Sequence, residues 1–254
     1  MDLKGKNAIV TGSAVGVGRE TAIELAKRSA NVAINYSRSR IEAQETVKIV
    51  GQLGVEVVSV QADVAVDDEV RRMVERTLEE FGSIDVLVNN AGMTNFVDFA
   101  DLEGLSEEIW DRILAVNLKG PFFCSRAVAP AMKKAGQGII VNVASTSGIR
   151  ATGSSIAYAA SKAGLINMTT ALARTLAPEI RVNCVAPGFI DTRWLQRGLG
   201  DLREQFIQRT SEQTPLGRIA TPEDVTQVIL SFIESADFVT GQTMIIDGGY
   251  TVKD

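Results

Sequence analysis

The chain contains no histidine among its 254 residues. That absence removes Ser-His-Asp hydrolysis and every His-ligated metal, and it leaves general acid-base work to Tyr, Lys or carboxylates. Cysteine is nearly as scarce. Cys124 and Cys184 lie far apart, each in an apolar setting, which predicts buried thiols rather than a disulfide or zinc site, so no metal is expected. No apolar run reaches the roughly 18 residues of a membrane span, and the N-terminus enters a strand-like stretch directly. The expectation is a soluble cytoplasmic protein. The net charge of -5, with basic residues scattered, argues against nucleic acid or an anionic membrane as partner and favours a small-molecule ligand.

What is present is a regular alternation. Short apolar, β-branched runs at 7–11, 31–36, 55–60, 84–89, 139–144, 181–186 and 243–247 are separated by longer segments of helical period. The helices are predicted to begin near Val17, Ser39, Asp67, Ser106, Ile156 and Pro222. Strands apolar on both faces and spaced by helices indicate a parallel sheet covered on both sides. No internal repeat, linker or low-complexity tract interrupts the pattern, so one domain spanning 1–254 is expected.

In such a sheet ligands bind beyond the carboxyl ends of the strands, and the motifs fall there. Gly12, Gly16 and Gly18 punctuate the first strand-to-helix turn, where glycine permits close backbone approach and the helix start offers N–H groups to a pyrophosphate. Ala14 occupies the place of the second glycine in the usual dinucleotide spacing, and a tight turn without ligand is the alternative reading of this stretch alone. The second strand ends at Tyr36 and is followed by Ser37, Arg38, Ser39 and Arg40. With no carboxylate there and two guanidinium groups nearby, a ribose 2'-phosphate fits better than a free 2'-hydroxyl, which predicts NADP(H) over NAD(H). Arg38 and Arg40 also suit a solvated first helical turn. Asp63 can accept from an adenine amino group or cap the following turn. Of the next strand-end pair, Asn90 is the better candidate for cofactor contact, and Asn89 the structural one.

Tyr158 and Lys162 are four residues apart, so on a helix they share a face and the lysine leans back toward the phenol. A neighbouring cation favours phenolate, which would bring the phenol below its usual value of about 10 and fit it for proton exchange with a carbonyl or alcohol oxygen. Ser145, at a strand end, supplies a second hydroxyl donor. Ser147 and Ser161 compete by composition; Ser147 lies further into the loop and Ser161 points to another helix face, so both rank below Ser145.

The set formed by the glycine turn at 11–18, AsnAsnAlaGly at 89–92, Asn117, Ser145, Tyr158 with Lys162, and ProGly at 187–188 resembles the short-chain dehydrogenase/reductases over essentially the whole chain. The nearest likeness is to 3-oxoacyl-[acyl-carrier-protein] reductases and their relatives acting on sugars, polyols and small ketones. The resemblance implies a three-layer, doubly wound Rossmann fold with seven mostly parallel strands. It implies an oxidoreductase that moves a hydride between NADP(H) and a carbonyl or secondary alcohol. Tyr158 would be the acid-base group, Lys162 its partner and a ribose contact, Ser145 the residue orienting substrate oxygen, and Asn117 the residue holding a relay water. Cofactor contacts would come from Gly12, Ser13, Val15, Gly16, Val17, Gly18, Tyr36, Ser37, Arg38, Ser39, Asp63, Val64, Asn90, Ala91, Gly92, Pro187, Gly188, Ile190 and Thr192.

A substrate lid is expected over about 190–212, carrying Trp194, Leu195 and Leu199. Family oligomers imply a homotetramer built on helices around 106–134 and 156–176 and on the C-terminal strand. The chain departs from the likeness where carrier-binding arginines would stand, near Gly136 and Glu179; Lys133 and Lys134 substitute only in part. That departure argues against an acyl carrier protein as partner. Two other readings are a sugar or polyol dehydrogenase, and a non-catalytic NADP(H)-binding sensor or scaffold. The intact Asn117, Ser145, Tyr158 and Lys162 favour an enzyme.

Overall fold

The computed structural model describes residues 1–252. The elements run β1 (Asn7–Val10), α1 (Gly16–Lys27), β2 (Asn31–Tyr36), α2 (Arg40–Gly51), β3 (Val57–Gln61), α3 (Asp67–Phe81) and β4 (Val86–Asn89) in the first half. The second half continues with α4 (Glu107–Leu114), α5 (Gly120–Ala135), β5 (Gly138–Val143), α6 (Ser147–Arg150), α7 (Ile156–Leu176) and β6 (Ile180–Pro187). It closes with α8 (Arg193–Leu199), α9 (Arg203–Gln213), α10 (Pro222–Glu234) and β7 (Thr243–Ile246).

The strands form one seven-stranded sheet in the order β3-β2-β1-β4-β5-β6-β7, and every pair is parallel. Strand order reverses at β1, which lies between β2 and β4, and that reversal opens a crevice at the carboxyl ends. Apolar side chains of α1, α2 and α10 cover one face; those of α3, α5 and α7 cover the other. The central strands are buried throughout, as a parallel sheet between helix layers requires. The edge strands depart from that expectation: β3 and β7 are only partly buried, and Met244 and Ile245 of β7 stand exposed.

Two local results differ from the periodicity. The third strand begins at Val57, two residues late, because the Glu56 N–H is taken by the Asn31 side chain. The helix expected over 106–134 is broken by a π-helical turn at Ala115–Lys119. Pro121 has no N–H to return to the carbonyl of Asn117, and Gly120 brings the chain so close to Val64 that a Cβ there would sit 2.8 Å from Cγ2 of Val64.

A buried polar link ties the sheet to its longest helix. The Asn89 amide donates to Asn142 at 2.9 Å, and the Asn142 amide donates to the Thr169 hydroxyl of α7 at 2.9 Å. Asn142→Ala strips both partners at once and is expected to lower unfolding free energy by about 1–3 kcal/mol, read from urea denaturation at unchanged m-value.

Candidate active site

The glycine turn crosses the crevice where β1 and β4 adjoin. Gly12 has φ of +63°, and a Cβ on it would stand 2.9 Å from Cα of Ala91. A Cβ on Gly18 would lie 2.4 Å from Nδ2 of Asn90, so both positions require glycine. The Asn90 amide donates to the Thr11 and Gly12 carbonyls, closing the two strand ends on each other. Helix α1 then starts with no side-chain cap and no acid in its first turn. Its first N–H groups, at Gly16, Val17 and Gly18, therefore suit a pyrophosphate, and the residues present fit a dinucleotide.

The side chains of several expected cofactor residues are taken up within the fold. Ser13 is fully buried: its hydroxyl donates to the Val10 carbonyl at 2.7 Å and its N–H to the Asn35 carbonyl at 2.9 Å. Val17 packs in the core and Val64 is buried against Gly120, so neither presents its side chain as a ligand contact. Asp63 caps the Ala65 N–H at 3.0 Å and pairs with Arg112 of α4, which is the turn-capping alternative together with an ion pair that spacing did not reveal. Tyr36 and Ser39 are half-buried, and Ser37, Arg38 and Arg40 are exposed at the start of α2, open to a phosphate. On the opposite wall, Pro187 ends β6 and Gly188 follows it, Ile190 bridges to Ala220, and Thr192 stands at the start of α8 without a side-chain cap, its methyl facing Gly16; Val15, just before α1, is half-buried. Gly92 lies beside the polar cluster, where a Cβ would come 3.7 Å from Lys162 Nζ.

Tyr158, Lys162, Ser145 and Asn117 are brought together by three elements. Ser155 caps α7 by accepting the Tyr158 N–H at 3.2 Å, which places the phenol in the first turn and Lys162 one turn later on the same face. Lys162 is 4% exposed and donates to the Val143 carbonyl at 2.8 Å, with its nitrogen 5.7 Å from the Tyr158 ring centre. Asn117 is fully buried in the π-helical turn, where its side chain accepts the Met93 N–H at 2.8 Å and donates to the Met93 carbonyl at 2.9 Å. It also donates to Ser161, so Ser161 supports Asn117 instead of competing with Ser145.

The electrostatics correct one expectation. Burial pushes the Tyr158 phenol up to about 12, and the Ser145 hydrogen bond only partly opposes it. Burial also pushes Lys162 down to about 8, with a smaller opposing pull from Cys184. The lysine does not bring the phenol below its usual range, because its nitrogen is held by Val143 and the desolvation of both groups dominates.

The segment expected as a lid forms α8 and α9. Trp194 meets the Tyr158 ring edge-on at 6.0 Å between centres, Leu195 is buried, and Leu199 is half-buried. Arg193 pairs with Glu42 of α2 at 3.2 Å across the crevice. Residues that spacing missed also border the site: Phe96 packs where Gly198 has no side chain, and the Thr94 and Ser154 hydroxyls stand 2.6 Å apart. The only sign of Phe96 in the sequence was Gly198 within the expected lid segment. Ser147, expected further into the loop, is buried with its hydroxyl 3.1 Å from that of Ser145.

The comparisons agree with this geometry. A family model described as Enoyl-(Acyl carrier protein) reductase matches residues 12–251. The 3-oxoacyl-[acyl-carrier-protein] reductase of Staphylococcus epidermidis is 40% identical over 247 residues, covering 96% of this chain and 98% of that one. The Thermotoga maritima protein of the same name is 41% identical over 254 residues, covering 99% and 100%. A solved Burkholderia xenovorans structure classed as a short-chain dehydrogenase/reductase superimposes with a TM-score of 0.91 at 31% identity, over 98% of each chain. The chain belongs to the short-chain dehydrogenase/reductases. Within them it is an oxidoreductase near the 3-oxoacyl-[acyl-carrier-protein] reductases, of a kind that takes a nicotinamide cofactor and a small-molecule substrate. No helix among the described residues is long and apolar enough to cross a membrane.

The lowered Lys162 value carries a testable sign. Between about 8 in the fold and the ordinary 10.5, the unfolded chain binds more protons, so stability rises with pH across that window. In cofactor-free protein the melting temperature of wild type relative to Lys162→Met is expected to climb from pH 8 to pH 10.5. Parallel melting curves for the two proteins across that range would contradict the assignment.

Proposed function

We propose that this chain is an NADP(H)-dependent carbonyl reductase and secondary alcohol dehydrogenase acting on a free small molecule. The reading is carried by the convergence of Tyr158, Ser145 and Lys162 beside the glycine turn, with Asn117 locked behind them. Bound nicotinamide supplies or accepts a hydride at the substrate carbon. The residues of the chain handle the oxygen: Ser145 donates a hydrogen bond to it, and Tyr158 gives it the proton that the developing alkoxide requires. Lys162 holds the ribose and keeps positive charge near the phenol. Burial alone lowers the amine and raises the phenol, so charge on either is disfavoured by the protein surroundings. Asn117 fixes the loop after β4 at Met93, and its backbone carbonyl, released by Pro121, suits a relay water.

The exposed Arg38 and Arg40 support the 2'-phosphate reading. The chain is read as one domain with α8 and α9 as its lid, Trp194 and Leu199 contributing apolar surface to the substrate. Exposed Met244, Ile245 and Phe122 support assembly through β7 and α5 as a homotetramer. The relatives' names refer to acyl carrier protein, but Gly136 and Glu179 stand where a basic carrier surface would be needed. A polyol or sugar substrate is the second reading, favoured by the Thr94 and Ser154 hydroxyl pair at the rim.

Turnover with a panel of ketones, ketoses, quinones and β-ketoacyl thioesters tests this reading, with kcat/KM expected higher for NADPH than for NADH. Replacing Arg38 and Arg40 together by Ala should remove about tenfold or more of that preference, the worth of one charge-assisted hydrogen bond. Tyr158→Phe should retain NADPH binding by fluorescence and lose turnover. A Tyr158→Phe protein that still turned over a good substrate would refute the acid-base assignment, and tight NADPH binding with no turnover of any substrate by wild type would favour the sensor.

A further inference from the structure

Ser147 is engaged with the substrate-facing hydroxyl in two ways. Its backbone N–H donates to the Ser145 oxygen at 3.1 Å, and the Ser145 hydroxyl donates to the Ser147 oxygen at 3.1 Å. The pair is enclosed, with Ser145 9% and Ser147 7% exposed. The loop after α6 is shaped around the second hydroxyl. Gly153 has φ of +111°, and a Cβ on it would stand 2.4 Å from the Ser147 oxygen. No residue with a side chain fits at 153 without displacing that hydroxyl.

We propose that Ser147 is a positioning residue that switches Ser145 between accepting and donating, so that Tyr158, Ser145 and Ser147 act as one row of hydroxyls. This rests on the reading that Ser145 binds the substrate oxygen. The single Ser145 proton has two protein acceptors, the Ser147 oxygen at 3.1 Å and the Pro187 carbonyl at 3.5 Å, and Ser145 also contacts the Tyr158 phenol. Turned to Ser147 or Pro187, Ser145 has no proton to offer a substrate. When a carbonyl oxygen arrives, the Ser145 hydroxyl turns to it, and the Ser147 hydroxyl rotates to donate into the Ser145 oxygen. Because Gly153 carries no Cβ, the Ser147 oxygen keeps its place against the loop while its proton turns. No bond other than hydrogen bonds changes, and the donor that meets the developing alkoxide is strengthened by the one behind it.

The test compares Ser147→Ala, Ser147→Thr and Gly153→Ala in the intact enzyme on one good substrate. Loss of one supporting hydrogen bond should reduce kcat about five- to tenfold in Ser147→Ala. KM for NADPH should be unchanged, and the pH profile for alcohol oxidation should move to higher pH, because the phenol loses part of the Ser145 contact that draws it down. Ser147→Thr keeps the hydroxyl and should recover most of the rate. Gly153→Ala keeps Ser147 but crowds its oxygen, and should reproduce the slow, shifted profile with NADPH binding intact. Wild-type kcat and profile in Ser147→Ala, or a Thr variant as slow as the Ala variant, would overturn the proposal. Ser145→Ala separates the two levels: full activity there would refute the underlying role of Ser145, whatever Ser147 does.

Discussion

An ammonium group buried at the seam between α7 and β5 constrains the rest of this molecule. Lys162 is held by the Val143 carbonyl in surroundings that disfavour its charge. A cation in such a place is costly unless another group draws on it, and the glycine turn, the strand-end asparagines and the open start of α1 all prepare the crevice for an anionic dinucleotide. The tyrosine and lysine are thus incomplete as a pair. Burial raises the phenol and lowers the amine, so the protein surroundings alone disfavour charge on both groups.

The rigidity that this arrangement needs comes from breaks in regular structure as much as from the structure itself. The π-helical turn at Ala115–Lys119 interrupts what would be a continuous helix and turns Asn117 inward onto Met93 and Ser161. Because Ser161 in turn donates to the Tyr158 carbonyl, the turn also supports the first turn of α7. One irregular stretch of helix therefore sets the position of the loop at Met93 and of the first turn of α7.

The sheet, the glycine turn and the Tyr158, Lys162 and Ser145 set were legible in the sequence because they depend on local spacing. Strand runs alternate with helical period, glycine marks close approach, and a separation of four puts two side chains on one helix face. What was not legible depends on residues distant in the chain. The Asp63–Arg112 pair, the inward turn of Ser13, and the packing of Phe96 onto Gly198 each need the completed fold to bring the partners together. The direction of the Tyr158 shift failed for the same reason, since spacing reports the neighbour but not the depth at which both groups are buried.

The contacts of α8 have a mechanical consequence. Through Trp194 this short helix touches the Tyr158 ring, and through Arg193 it is bolted to Glu42 on the far bank of the crevice. One short helix thus touches both the proposed acid-base group and the helix that follows β2. On the proposed reading, any shift of α8 disturbs both contacts together, which ties the substrate end of the crevice to the nucleotide end.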